Sequence, residues 1–237
     1  MTRLDKFICD NSGYSRSQIK KLIQKGGVLI NSVPVRASDT KIDPENDEVV
    51  VCGQKIEYRR FVYLMLNKPE GYVSATEDRS EKTVLDLIGD EFSHRALFPA
   101  GRLDKDTVGF VLLTDDGDFA HRILSPKNHV EKTYIAKTDK PCDDEVIRVF
   151  EEGAKLSDGT VCLKAKLEFL NEEKTLSKVI ICEGMYHQIK RMFASCGRHV
   201  VSLERVKMGE LSLDPSLKRG EYRELSKEEL ELIKATK

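Results

Sequence analysis

Three short stretches of this chain carry side chains that could do chemistry together. The first is Gly101-Arg102-Leu103-Asp104-Lys105-Asp106-Thr107-Val108-Gly109, directly ahead of the apolar run Phe110-Val111-Leu112-Leu113-Thr114. A glycine-flanked, charge-rich piece entering a buried strand delivers side chains to the mouth of that strand, where reactive groups often sit. Between Arg102 and Lys105, Asp104 should stay ionised, as a nucleophile or base requires. The second stretch is Glu131-Lys132-Thr133-Tyr134-Ile135-Ala136, which puts a tyrosine in a predicted strand. The third, Glu183-Gly184-Met185-Tyr186-His187-Gln188, runs into a basic helix with Lys190 and Arg191 off its apolar face. The start of such a helix suits an anion. Each stretch also has an ordinary reading: a polar turn, a core tyrosine with its hydroxyl paired, a solvated helix side. No catalytic triad, phosphate loop or metal-ligand spacing appears.

The elements around these stretches divide in two. Residues 1–58 read as a small domain. Leu4, Phe7 and Ile8 have helical spacing, and Ser15 with Gln18 forms a capping box for a second helix whose inner face is Ile19, Leu22 and Ile23. Val28–Ile30 and Val33–Val35 around Asn31-Ser32 read as a hairpin, followed by strands at 48–52 and 54–58. Tyr58-Arg59-Arg60 reads as the linker. Residues 59–237 open on an apolar strand, Phe61–Leu66, and a turn at Asn67–Gly71. Strands and helices then mix without βαβ alternation, so the fold class is α+β with a mixed, mostly antiparallel sheet. Ile189, Met192, Phe193 and Cys196 fall on one helical face that ends at Gly197.

Composition narrows the classes. The 237 residues are 40% hydrophobic and 33% charged, so a packed soluble protein is expected and a disordered chain is not. No apolar run is long enough to span a membrane, and the N-terminus does not read as a secretory signal. Six scattered cysteines without a Cys-x-x-Cys pair suggest reduced, mostly buried thiols in the cytoplasm. A formal net charge of −1 is unlike a uniformly basic nucleic-acid binder. Local charge is uneven, however: Arg3, Lys6, Arg16, Lys20, Lys21 and Lys25 crowd the first 25 residues against Asp5 and Asp10.

Taken in order, the stretches resemble the RsuA/RluB/RluE/RluF family of pseudouridine synthases. Gly-Arg-Leu-Asp-x-x-Thr-x-Gly at 101–109 is similar to the family signature without a gap. Lys-Thr-Tyr at 132–134, Gly-x-Tyr-His-Gln-Ile-Lys-Arg-Met-Phe at 184–193 and Leu66-Asn67-Lys68-Pro69-x-Gly71 follow in matching order. Residues 1–58 resemble the S-four-type RNA-binding domain, leaving 59–237 as the catalytic domain. Tyr186-His187-Gln188 and Leu113-Thr114-Asp115-Asp116-Gly117 are most similar to the branch that modifies small-subunit (16S) rRNA. Two positions depart from the pattern: Phe110 stands where leucine is common, and Ser32 where glycine usually follows Asn31.

The resemblance implies an isomerase that turns a uridine of 16S rRNA, with uridine 516 the expected target, into pseudouridine. It implies Asp104 as the essential carboxylate, attacking the sugar or the ring or assisting proton removal at the sugar. Tyr134 would lie against the base, and Lys190 would pair with Asp104. Arg102 would meet a phosphate or fill the gap left by the extruded base. His187, Gln188 and Arg191, and on the N-terminal domain Arg3, Arg16, Lys20 and Lys21, would contact RNA. No cofactor, metal or membrane is expected. The partner is 16S rRNA or a small-subunit assembly intermediate, met by a monomer. The alternatives are a 23S rRNA enzyme of the same family, separated by substrate, and a non-catalytic assembly factor, which would tolerate Asp104→Asn. A nucleoside hydrolase would release free uracil.

Overall fold

The computed structural model describes residues 1–128 and 130–233. The chain forms two compact units: Met1–Val62 with Ile88–Ala96, and Tyr63–Leu87 with Leu97–Lys237. The first unit thus extends to Val62 and takes in the short segment 88–96. Arg95 shows why. Its guanidinium donates to the carbonyl oxygens of Asp10 (2.7 Å), Arg59 (3.1 Å) and Arg60 (3.2 Å), which ties residues 88–96 to the end of the first helix and to the expected linker.

The first unit runs β1 (Thr2–Arg3), α1 (Leu4–Asn11), α2 (Arg16–Gln24), β2 (Val28–Ile30), β3 (Val33–Pro34), β4 (Lys41–Ile42), β5 (Val49–Val51) and β6 (Gln54–Ile56). The capping box forms as read: the Ser15 amide donates to the Gln18 side chain at 2.7 Å, and the Gln18 amide donates back to the Ser15 hydroxyl. Leu4, Phe7, Ile8, Ile19 and Ile23 pack with Val28, Ile42, Val49 and Val51 into one buried core. Each such side chain contributes on the order of 1.5–3 kcal/mol by leaving water. The sheet order is β3-β2-β5-β6, all antiparallel. The β2–β3 turn places both Asn31 (φ 49) and Ser32 (φ 66) in the left-handed region. Asn31 suits that conformation, and its side chain ties the turn to Asp47 and the Glu48 amide. Ser32 does not.

The second unit runs β7 (Tyr63–Lys68), β8 (Phe98–Pro99), β9 (Val108–Thr114), α3 (Gly117–Leu124), β10 (Lys132–Thr138), α4 (Asp144–Glu152), β11 (Lys166–Phe169), β12 (Leu176–Ile181), α5 (Gln188–Ser195), β13 (Val200–Met208), β14 (Leu211–Ser212), β15 (Tyr222–Glu224) and α6 (Lys227–Leu232). Its main sheet has the order β11-β12-β10-β13-β9-β7-β15, with β8 and β14 paired to β9 and β13. Every pairing is antiparallel except β9 with β13, so the sheet is mixed as expected. That parallel junction explains the last glycine of the 101–109 stretch. A Cβ on Gly109 would lie 2.2 Å from the Arg205 carbonyl oxygen, so any side chain there would push β13 away. Arg205, fully buried, then crosses the junction and donates from Nε to the Phe110 carbonyl at 2.7 Å.

Two boundaries differ from the sequence reading. Strand β7 starts at Tyr63 rather than Phe61 and continues through Asn67 and Lys68, with the turn falling at Pro69–Gly71. All six cysteines are free, but only Cys142 and Cys162 are buried. Among the described residues no helix is long and apolar enough to cross a membrane.

The turn generates a prediction. Replacing Ser32 by glycine removes left-handed strain and adds chain entropy to lose, for a net gain of about 0.5–1 kcal/mol in the stability of the first unit. Urea denaturation of Ser32→Gly beside wild type measures it, and an unchanged or lower midpoint refutes it.

Candidate active site

The residues from the three stretches meet on the second unit. Asp104, Tyr134, Arg102, His187 and Gln188 line one open cleft of about 390 Å³ including its mouth, walled also by Leu103, Thr107, Ile181 and Leu203. Tyr134 comes from the middle of β10 and is buried apart from its cleft face. Asp104 comes from the loop before β9, with a quarter of its side chain exposed, and α5 supplies Lys190.

The loop that presents Asp104 is clamped from beneath. Lys68, at the end of β7, is fully buried with no carboxylate in hydrogen-bond contact. Its ammonium donates to the carbonyl oxygens of Thr107 (2.8 Å), Asp104 (3.0 Å), Pro69 (3.1 Å) and Lys105 (3.2 Å). Three N–H groups thus serve four acceptors, three of them within the loop. Ser74 holds the preceding residue from both sides: its hydroxyl donates to the Leu103 carbonyl and accepts from the Leu103 amide, each at 3.0 Å. The Gly71 amide donates to the Lys105 carbonyl at 2.9 Å. Burial draws the Lys68 ammonium down to about 8 from its ordinary 10.5.

The side chain of Asp104 points to cations. Lys190 Nζ lies 2.9 Å from Asp104 Oδ2 and 2.5 Å from Asp106 Oδ1. Burial alone would lower the Lys190 ammonium, but its hydrogen bonds to Asp106 and Asp104 outweigh that and raise it, so it remains a cation. Burial likewise opposes ionisation of Asp106, and Lys190 overrides it to hold that carboxyl below its ordinary value. His187 Nε2 stands 3.5 Å from the other oxygen of Asp104.

The expected RNA contacts fare differently. Arg102 is exposed at the cleft, and among the described residues it has no hydrogen bond or ion pair. Arg191 is ion-paired with Asp158, whose carboxyl the Thr160 amide and hydroxyl, together with Arg191, hold down to about 2. Gln188 is only 4% exposed and is committed to the turn before α5: its amide nitrogen donates to Glu183 at 2.6 Å and its oxygen accepts from the Met185 amide at 3.1 Å. On the first unit, Arg16, Lys20 and Lys21 project from α2 into solvent. Arg3 instead donates twice to the buried Asp5, at 3.0 and 2.8 Å, so its charge is largely spent within the fold. Sequence reasoning gave no role to Lys68, Ser74 or Asp106. Only Lys68 left a trace there, as a lone cation closing an apolar strand before a proline.

The chain matches the family model described as RNA pseudouridylate synthase over residues 62–195 and the S4 domain model over residues 2–49. It is 47% identical to an uncharacterised RNA pseudouridine synthase, YtzG, of Bacillus subtilis, across 98% of both chains. It is 41% identical to ribosomal small subunit pseudouridine synthase A of Escherichia coli K12, over 96% of this chain and 98% of that one. A solved structure described as a pseudouridylate synthase superposes with a TM-score of 0.69 at 41% identity, over 98% of this chain and all of the other.

The clamp generates a prediction with a sign. Lys68→Met removes the donor that four carbonyls share and lowers the stability of the second unit by about 3–5 kcal/mol. Because the folded-state value lies below the unfolded one, the unfolded chain binds more protons between about pH 8 and 10.5, and this group makes wild-type stability rise across that window. The gap between wild type and Lys68→Met, followed by urea denaturation, should therefore widen from pH 8 to pH 10. A gap that narrows contradicts the lowering of the Lys68 ammonium by burial.

Proposed function

The chain belongs to the RNA pseudouridylate synthase family, and from that premise we propose that it isomerises one uridine of 16S ribosomal RNA, with uridine 516 the expected position. The observation that carries the reading is the Asp104–Lys190 pair at 2.9 Å, with Asp104 on the wall of a cleft that Tyr134 also lines. The choice of 16S rRNA is supported by relatives in Escherichia coli and Haemophilus influenzae named for the small ribosomal subunit, at 41% and 42% identity over nearly the full chain.

The reaction breaks the bond between the sugar C1′ and uracil N1, turns the ring, and joins C1′ to C5. C5 loses a proton and N1 gains one, so no electrons are exchanged with an outside partner. Asp104 acts at the sugar or the ring while Lys190 steadies its carboxylate. Tyr134, mostly buried and lining the cleft, offers a flat ring against which the extruded uracil can lie and a hydroxyl that takes a proton at the sugar. Arg102, which has no hydrogen bond or ion pair among the described residues, takes a phosphate or fills the vacancy in the stack. Extrusion of the base costs a few kcal/mol. Phosphate contacts offset this, and Arg16, Lys20 and Lys21 on the N-terminal unit are free to supply them. The enzyme then works in the cytoplasm on 16S rRNA or on a small-subunit assembly intermediate.

Incubation with unmodified 16S and 23S transcripts, followed by single-nucleotide mapping, tests the reading. Wild type should yield one pseudouridine in 16S and none in 23S. Asp104→Asn should still bind RNA while its rate drops at least about 1,000-fold. Product from the variant at the wild-type rate removes Asp104 from the chemistry, and a site in 23S moves the substrate. The basic face has its own test: RNA affinity should fall steeply with salt, and Lys20→Ala with Lys21→Ala should reduce the slope of log K against log salt by about one to two. A flat salt response contradicts it.

A further inference from the structure

The rim of the cleft carries a pair of rings that the proposed chemistry leaves unused. Tyr186 is 74% exposed, far above the next most exposed aromatic, Tyr58 at 40%. A lone exposed tyrosine would be unremarkable in a mobile loop. This one is fixed. One face of its ring lies on the imidazole of His187, with centroids 3.8 Å apart and planes 18° from parallel.

The backbone is bent to achieve that stack. His187 adopts φ 49, a left-handed conformation that a residue with a Cβ rarely takes. The turn is held there by the buried Gln188, which bonds to Glu183 and to the Met185 amide, and by the Arg191 amide, which donates to the His187 carbonyl at 2.9 Å. A strained turn locked by a buried amide presents the outer face of Tyr186 to solvent in one orientation. The inner end of the pair is the reactive end, since His187 lines the cleft and stands 3.5 Å from Asp104. The free ring face is thus one stacking distance beyond a ring that touches the carboxylate.

We propose that the outer face of Tyr186 is a stacking platform for an unpaired nucleobase flanking the target uridine, with His187 as the ring behind it. The proposal rests on the reading that the substrate is RNA. When one base leaves its strand, its neighbours lose a stacking partner, and an aromatic face at the cleft rim restores one. Stacking of this kind tolerates any base, so the platform adds affinity near the target without reading sequence.

The chain contains no tryptophan, so Tyr186→Trp introduces a single indole at the position in question. With 16S transcript added to saturation, judged by RNA anisotropy, its emission should be quenched while pseudouridine still forms. Tyr186→Ala should raise KM by about 5- to 100-fold with kcat within about threefold, and Tyr186→Phe should match wild type, because the ring and not the hydroxyl is needed. Emission that does not move at saturation, or a Tyr186→Ala KM equal to wild type, overturns the platform. A wild-type enzyme that forms no pseudouridine overturns the functional reading instead. Quenching reports the contact whether or not product forms, and RNA that does not bind at all ends both.

Discussion

The site depends on one buried ammonium. A buried ammonium with no carboxylate in hydrogen-bond reach is costly unless its N–H groups find acceptors, and among the described residues Lys68 donates to four main-chain carbonyls. Three of them belong to residues 104–107, so the charge that is costly to bury fixes the loop that carries Asp104. Strand β7 holds the lysine and strand β9 continues from the loop, and the two strands pair directly, Lys68 opposite Gly109. Gly109 in turn is where β13 approaches in parallel and Arg205 crosses over to Phe110. The carboxylate is thus set by the junction of β7, β9 and β13, although it lies on a loop.

Electrostatics of the cleft follow a pattern of shared partners. Lys190 divides itself between Asp104 and Asp106, and Arg191 is taken by Asp158. Arg102 alone at the cleft stands uncommitted among the described residues. A phosphate entering here meets one free cation and others that acids already hold, so cleft binding is a competition and not simple attraction. The exposed Arg16, Lys20 and Lys21 of the first unit form no ion pair among the described residues. On the proposed reading, this division lets a chain with a formal net charge of −1 bind RNA: the charge is placed, not accumulated.

Much of this was legible in the sequence because it lay in local patterns. The Ser15–Gln18 capping box, the Asn31-Ser32 hairpin and the apolar face of α5 are fixed by residues within one or two turns of each other. Their elements appear where the spacing put them. Asp104, Tyr134 and Lys190 were singled out through resemblance, since no spacing rule predicts that residues 30 and 56 positions apart come together. What stayed hidden is long-range. Nothing local says that Lys68 reaches Thr107, that Arg3 is spent on Asp5, or that Gln188 is a strut inside a turn. The grouping of residues 88–96 with the first unit stayed hidden for the same reason: Arg95 binds carbonyls 35 and more residues upstream.

The central claim is that Lys68 holds the Asp104 loop, and amide hydrogen exchange reads it directly. In the wild type the Thr107 amide donates to the Asp104 carbonyl at 3.1 Å and the Leu103 amide to Ser74. Both should exchange slowly. In Lys68→Met, under conditions where it remains folded, those two amides should exchange much faster while the β9 amides of Val111 to Leu113 stay protected. Equal protection at residues 103 and 107 in both proteins would show that the loop stands without the ammonium and would contradict the account.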